Sequence, residues 1–281
     1  MRGQARSWGT PSSCTILFKQ GKWYASITVK CVPVRIQTGK GAVGLDFGSY
    51  HAVADSDGNI IDSPRFIKQA QAKVNRLAKQ SRRKTAPNYK KRIKASRRWK
   101  KANKAVSKVQ AKVARQRQDW QHKVALDIVR SNSFIATEKL NLKNLTRKTK
   151  PGSKRKRQKS GLNRNLLDVG ISNLKKLIEY KVTEAGGIYI EVPTRKLAPS
   201  QTCPSCNARG KKDLSERIHT CDCGIKPLDR DVAAAQVMLN YARGQVLSSS
   251  VVESPNPTEC GNMRQFGAKK RRKLVPNASL G

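Results

Sequence analysis

Between residues 13 and 36 the chain alternates apolar and polar positions with a period of two. Ser13–Phe18 is followed by a Gln20-Gly21-Lys22 turn and then by Trp23–Val29, with Pro33 closing the run. That pattern predicts a β-hairpin. One hairpin alone is not a stable domain, so its sheet needs further strands. The opening Met1–Pro11 carries no pattern. Gly41–Gly48 is an apolar run ending on one acid, Asp46, with glycine on either side, and Gly58-Asn59 turns the chain into Ile60-Ile61. A strand carrying Asp46 is therefore expected to pair with a strand around His51–Asp55, with another near Ile60.

The period changes at residue 65. Phe66, Ala70, Val74, Leu77 and Ala78 recur at helical spacing. After a break at Ala86-Pro87 so do Ala102, Val106, Val109 and Val113, then Trp120, Val124 and Ile128. Most positions between them are Lys, Arg or Gln, so residues 65–131 read as a basic helical hairpin. Ser133–Glu138 is a second apolar strand ending on an acid. Residues 146–165 are so rich in Lys, Arg, Ser and Gly that they are expected to lack order until nucleic acid binds. Leu166–Ala185 reads as one helix with Leu167, Ile171, Leu174, Leu177 and Ile178 on one face, capped by Gly186-Gly187. Ile188–Val192 is a further strand ended by Pro193, and Val232–Tyr241 a last, Ala-rich helix. The tail from about Ser248 is Ser/Pro/Asn-rich with a basic run at 269–273 and is given no structure.

Charge narrows the function. The chain has 281 residues with 59 basic and 18 acidic, a net +41 spread along its whole length. Such a charge repels itself unless a polyanion neutralises it. There is no long apolar span and no lipidation signal, so the expected partner is nucleic acid, held through its phosphates, and not a membrane. Aromatic residues make up only 5%, so base stacking is not expected to dominate binding. Arg82, Arg83, Lys84, Lys90, Lys91, Arg92, Arg97 and Arg98 cluster too densely, with too few acids, for an ordinary solvated face, and they are the candidate phosphate-tracking residues.

Four of the seven cysteines are closely paired: Cys203 and Cys206, then Cys221 and Cys223, with Pro204 and Gly224 as turn formers. Two thiolates from each turn can close a tetrahedron around zinc, and no ligand position is left open, so the site is expected to be structural. Cys14, Cys31 and Cys260 are scattered, and no secretory signal follows Met1. A disulfide scheme would leave an odd thiol. The acids form the second chemistry. Asp46 and Glu138 end apolar strands, and Asp231 lies at or just inside the start of the last helix, with Asp229 just before it, either as a helix cap or as a further acid. An acid in an apolar strand carries a desolvation cost unless it binds something or anchors a turn. If the strands share one sheet the acids can converge, and gathered carboxylates are the ligands that magnesium or manganese prefers.

Taken together, Gly44-Leu45-Asp46-Phe47-Gly48, Ala136–Asn141, the Cys-x-x-Cys and Cys-x-Cys-Gly pairs with Asp229-Arg230-Asp231, and Ser200–Cys203 resemble the TnpB (OrfB) proteins of bacterial insertion sequences, over roughly residues 13–243. The resemblance implies an α/β, RNase H-like (RuvC) mixed sheet with a helical-hairpin insertion and an inserted zinc ribbon. It implies a transposon-encoded, RNA-guided DNA endonuclease hydrolysing phosphodiester bonds with two metal ions, Mg²⁺ or Mn²⁺, beside a structural Zn²⁺. Its partners would be DNA and a guide RNA, and its setting the bacterial cytoplasm at the nucleoid. By motif, Asp46, Glu138 and Asp231 would be the catalytic, metal-binding acids and Asp229 supportive. The implied division is 1–40 remnant of an N-terminal wedge-like β domain, 41–64 RuvC-like part I, 65–133 basic helical insertion, 134–198 part II, 199–224 zinc ribbon, 225–244 part III and 245–281 disordered basic tail. Members of the family carry a longer N-terminal barrel and recognition region, so the chain reads as an N-terminally truncated relative. Ala233 stands where many members have Asn and Lys139 where many have an acid; neither is a matched ligand. A nucleic-acid-binding relative without cleavage and a transposase proper are the alternative readings.

Overall fold

A sheet of five strands carries the site, and helices cover both of its faces. The computed structural model describes residues 9–19, 22–30, 37–213 and 216–249. The chain opens with β1 (Thr10–Lys19) and β2 (Lys22–Lys30), an antiparallel hairpin. Both of its faces are exposed, with Ile16, Leu17, Phe18, Trp23 and Tyr24 open to solvent. The main sheet follows: β3 (Gly41–Asp46), β4 (Val53–Asp55), β5 (Ile60–Ile61), β6 (Asn132–Glu138) and β7 (Ile188–Val192), in spatial order β5-β4-β3-β6-β7. β3, β6 and β7 are parallel; β4 runs antiparallel to β3, and β5, antiparallel to β4, returns to the direction of β3. The sequence expectation for the strands around Asp46, His51–Asp55 and Ile60 is met.

Two helices stand between β5 and β6: α1 (Phe66–Arg82) and α2 (Arg97–Ser131). They form a hairpin: they wall one cavity together, with Phe66, Ala70 and Leu77 of α1 opposite Ala105, Val109 and Val113 of α2, and an antiparallel bridge between Asn88 and Ile93 folds back their connection. The Ser96 hydroxyl caps α2 by accepting from Trp99 N at 3.1 Å. At 1.5 Å per residue the 35 residues of α2 extend about 52 Å. One helix therefore serves two places. Its first half pairs with α1, and its second half brings Val124, Ala125, Ile128 and Val129 into the core before running straight into β6.

After β6 come α3 (Leu142–Leu145), α4 (Lys156–Val169) and α5 (Ile171–Glu184). Two expectations need correction here. Lys156–Val169 is helical, although composition argued against order through 165. Its partners lie elsewhere in the chain: Arg117 of α2 donates to Leu167 O at 2.7 Å, and the Asn163 amide donates to Thr146 O at 2.9 Å. Composition cannot register such contacts. Nor is Leu166–Ala185 one helix. Gly170 sits at φ 70°, a left-handed conformation that ends α4 and restarts the chain as α5. The buried Gln121 amide holds that corner, donating to Val169 O at 2.7 Å and Gly170 O at 3.1 Å.

The chain closes with α6 (Thr194–Leu197), the short pair β8 (Ile218–His219) and β9 (Leu228–Asp229), and α7 (Arg230–Ser249). Strands buried on both faces read as continuous apolar runs. Val43, Leu45 and Ile135 face α2 and α5, while Ala136 and Val192 face Ala235, Met238 and Ala242 of α7. Helix α7 continues to Ser249, past the boundary at 244 that the sequence suggests, and the rest of the expected tail lies outside the described residues, as do Cys31 and Cys260. Among the described residues no helix is long and apolar enough to cross a membrane.

Candidate metal and nucleic-acid site

Strand alternation decides where the acids point. Val43 and Leu45 face the α2–α5 side, so Gly44 and Asp46 face α7. In β6 Ile135 faces α2 and α5, so Ala136 and Glu138 face α7. The parallel register pairs Gly44 with Ala136 and Leu45 with Thr137, and Asp46 and Glu138 come next along their strands. Both carboxylates thus leave the carboxyl ends of neighbouring strands on the same face. Asp231 stands in the first turn of the helix that covers that face. A methyl group placed on Gly48 would lie 3.9 Å from Asp231 Oδ2, so the loop after Asp46 borders the same space.

The electrostatics agree with that geometry. The Asp46 carboxyl is held well above the usual carboxylate range, first by burial and then by the charges of Glu138 and Asp231. The Phe47 N–H and Arg230 offset part of the rise. Glu138 is pushed up to about 7 by burial, against the pull of Lys175. Asp46 therefore feels the charge of two acids far from it in sequence, and a divalent cation there would relieve both that repulsion and the desolvation.

Asp229 has a defined part. Its carboxylate accepts from Asp231 N at 2.8 Å and Val232 N at 3.4 Å, which caps α7 and fixes the turn that presents Asp231. Arg230 Nε lies 3.9 Å from Asp231 Oδ1. Lys175 was not singled out by sequence. It is buried, with its ammonium donating to Glu138 O and to Glu191 Oε1, the latter at 2.9 Å. The available signal was a lysine at a core-facing position, four residues after Ile171 on the apolar stripe of α5. Arg65, also unflagged, uses a left-handed backbone at φ 54° to donate to Ser49 O at 2.7 Å and Tyr50 O at 2.6 Å, clasping the loop beside the acids.

The four paired cysteines meet. The Sγ atoms of Cys203, Cys206, Cys221 and Cys223 all lie within 4.8 Å of one another, with Cys203–Cys223 at 3.7 Å and Cys206–Cys221 at 3.6 Å. A tetrahedral zinc with bonds of about 2.3 Å sets its sulfurs about 3.8 Å apart, so the cluster fits a zinc ion. Burial alone would raise the Cys203 thiol. The N–H groups of Cys206 and Ser205 and the His219 imidazole instead bring it down to about 6, which favours the thiolate that binds metal. The cluster is tied to α7: Asn240 Nδ2 donates to Pro204 O at 3.0 Å, and Arg230 N to Arg217 O at 2.8 Å.

The eight basic residues singled out in the sequence lie around one end of the α1–α2 hairpin. Arg82 closes α1, Arg97 and Arg98 open α2, and the rest lie in the connection. All are exposed except Lys84, which is half-buried and donates to Gln80 O at 2.9 Å.

A mixed sheet with carboxylates at two neighbouring strand ends, beside a four-thiol cluster in a strongly basic chain, defines an α/β protein that gathers metal-ligating side chains. Residues 26–149 match a family described as probable transposase, of the OrfB type, and residues 172–238 match the Cas12f1-like TNB domain. The chain belongs to the OrfB (TnpB) family. It is 28% identical over 256 residues to an Escherichia coli (strain K12) protein provisionally named RNA-guided DNA endonuclease InsQ, covering 89% of this chain and 61% of that protein. It is 31% identical over 222 residues to a Streptomyces pristinaespiralis protein provisionally named RNA-guided DNA endonuclease, covering 79% of this chain and 50% of that one. The chain therefore spans between half and two thirds of the length of these relatives. The fold resembles Cas12f1 as solved with its sgRNA and target DNA, with a TM-score of 0.51 at 18% identity over 78% of this chain and 42% of that one.

Proposed function

We propose that this chain carries an RNase H-like (RuvC) nuclease centre in which Asp46, Glu138 and Asp231 hold Mg²⁺ or Mn²⁺ and direct hydrolysis of DNA phosphodiester bonds. What supports the reading is that Asp46 and Glu138 leave the ends of neighbouring strands and that Asp46 feels the charge of both Glu138 and Asp231. The strand order β5-β4-β3-β6-β7, in which only β4 runs against the other four, supports this reading. Ions held by these three carboxylates would supply an activated water and charge stabilisation for the leaving oxygen. The chain's own residues do the positioning. Asp229 caps the turn that presents Asp231, Lys175 fixes the end of β6 at Glu138, and Arg65 holds the loop after Asp46.

In the same reading, 41–64, 134–198 and 225–244 are the three parts of the nuclease, 65–133 its basic insertion and 199–224 a structural zinc ribbon. Residues 1–40 are what this chain has of an N-terminal β domain. The relatives' names and the nucleic acids bound by Cas12f1 support DNA as substrate and an RNA as guide.

The test has two arms. Calorimetry with Mn²⁺ should show binding to the zinc-loaded chain that is lost in Asp46→Ala, Glu138→Ala and Asp231→Ala. Cleavage of a guide-matched DNA should be abolished by the same changes while nucleic-acid binding persists. Mn²⁺ binding and cleavage that survive all three substitutions would overturn the assignment.

A further inference from the structure

We infer that the turn at the far end of the α1–α2 hairpin is a stacking platform for an unpaired nucleobase, with Tyr89 as its ring. The inference rests on the reading of this chain as a nucleic-acid-binding protein. It adds a contact to the base, where the cationic residues supply contacts only to phosphate.

The turn is built rigidly. Asn88 and Ile93 exchange two backbone hydrogen bonds of 2.9 Å, so Tyr89–Arg92 forms a closed four-residue loop. Inside it Arg92 N donates to Tyr89 O at 3.2 Å, and the Asn88 side chain accepts from Lys91 N at 3.1 Å. Arg92 holds φ 51°, where glycine is the residue without steric penalty. The turn thus keeps a cation at a position whose backbone favours glycine, and strain of that kind collects at functional sites.

Tyr89 sits at the apex, 91% exposed. Among the described residues its ring has no aromatic or cationic contact and its hydroxyl no hydrogen bond. Tyrosine normally buries its ring and satisfies only its tip. Residues 82–98 contain nine Lys or Arg and no acid, so the ring stands in a field that attracts polyanions. A nucleotide matches both features at once: its base covers the ring face and its neighbouring phosphates meet Lys90, Lys91 and Arg92. An acidic protein surface would satisfy the cations and leave the ring against water. Paired bases hide their faces in the stack, so the platform takes an unpaired one. The 17 residues of α1 extend about 25 Å from the sheet end of the hairpin. The nucleotide on Tyr89 is therefore not the one at the acids.

The test is fluorescence anisotropy with the full, zinc-loaded chain and labelled single strands of deoxythymidine and of uridine, an abasic strand of the same length and a duplex. Tyr89→Ala should weaken binding of at least one single strand by about 5-fold to 150-fold, the range for one aromatic–base stack. The salt slope and the affinities for duplex and abasic strand should stay unchanged. Tyr89→Phe should bind as the wild type does. The thymidine and uridine arms show which sugar the platform serves. A change under 2-fold on both single strands, an equal loss on the duplex, or a Tyr89→Phe variant as weak as Tyr89→Ala would overturn the inference. Thermal melting of each variant separates these outcomes from misfolding. If the wild type shows no salt-dependent binding to any nucleic acid, the broader reading fails. If that binding is intact and Tyr89→Ala is silent, only the platform fails.

Discussion

Gly44 lies directly beneath Ala235. A methyl group added at Gly44 would stand 1.9 Å from the Ala235 carbonyl oxygen, so α7 approaches β3 as closely as a missing side chain allows. That approach brings the first turn of α7, with Asp231, to the end of the strand that carries Asp46. Gly44→Ala should therefore push α7 away. Overpacking costs roughly 1–3 kcal/mol where neighbours can adjust, and a helix backbone adjusts poorly. Thermal unfolding should show a clearly lower Tm, and calorimetry weaker Mn²⁺ binding. A variant as stable as the wild type with unaltered Mn²⁺ affinity would refute this close approach.

The thiol cluster should bind about one zinc per chain. Cys221→Ser should lower the zinc content and the Tm. Because Asn240 and Arg230 tie α7 to the ribbon side, zinc loss should also weaken Mn²⁺ binding at Asp231. Elemental analysis together with Mn²⁺ calorimetry checks both parts. Full zinc occupancy after replacement of all four cysteines would remove the assignment.

Burial raises Glu138 from 4.5 to about 7. The metal-free folded state thus holds this proton more tightly than the unfolded state does. The stability it contributes is fully present below pH about 4.5 and is lost as pH rises through about 7. Asp46, raised by burial and by the charges of Glu138 and Asp231, acts in the same direction. Divalent ions bind the ionised forms, so added Mn²⁺ should raise the Tm more at pH 8 than at pH 5.5. Melting curves at the two pH values, with and without Mn²⁺, decide this. An equal rise at both would show that the carboxylates do not hold the ion.

Replacing Arg82, Arg83, Lys90 and Lys91 with Gln should flatten the salt dependence of nucleic-acid binding. Every phosphate left without its cation reduces the log–log slope by about 0.7–0.9, so four should reduce it by about 3. The helices should survive, because these side chains point into solvent. An unchanged slope with an intact circular dichroism spectrum would make this end of the hairpin an ordinary solvated face.

Local pattern was enough for the strands of Asp46 and Glu138, the basic hairpin, the paired cysteines and the last helix. Alternation, helical period and ligand spacing are properties of neighbouring residues, and they persist whatever the rest of the chain does. Asp229 shows the limit of that legibility: sequence left it between a cap and a further acid, and the bonds from Asp231 N and Val232 N settle its role in the turn. Only the tertiary structure decided the rest. The order in residues 156–165 depends on Arg117 and on Thr146, at the end of α3, and the break at Gly170 on Gln121, all distant in sequence. Lys175 resembled one more surface lysine until β6 and β7 folded over it. Above all, which face each acid takes follows from the pairing of Gly44 with Ala136 and the seat of α7 on Gly44. A slip of one residue would turn Glu138 to the opposite face. Register is a relation between segments some 90 residues apart, and the composition of neither segment contains it.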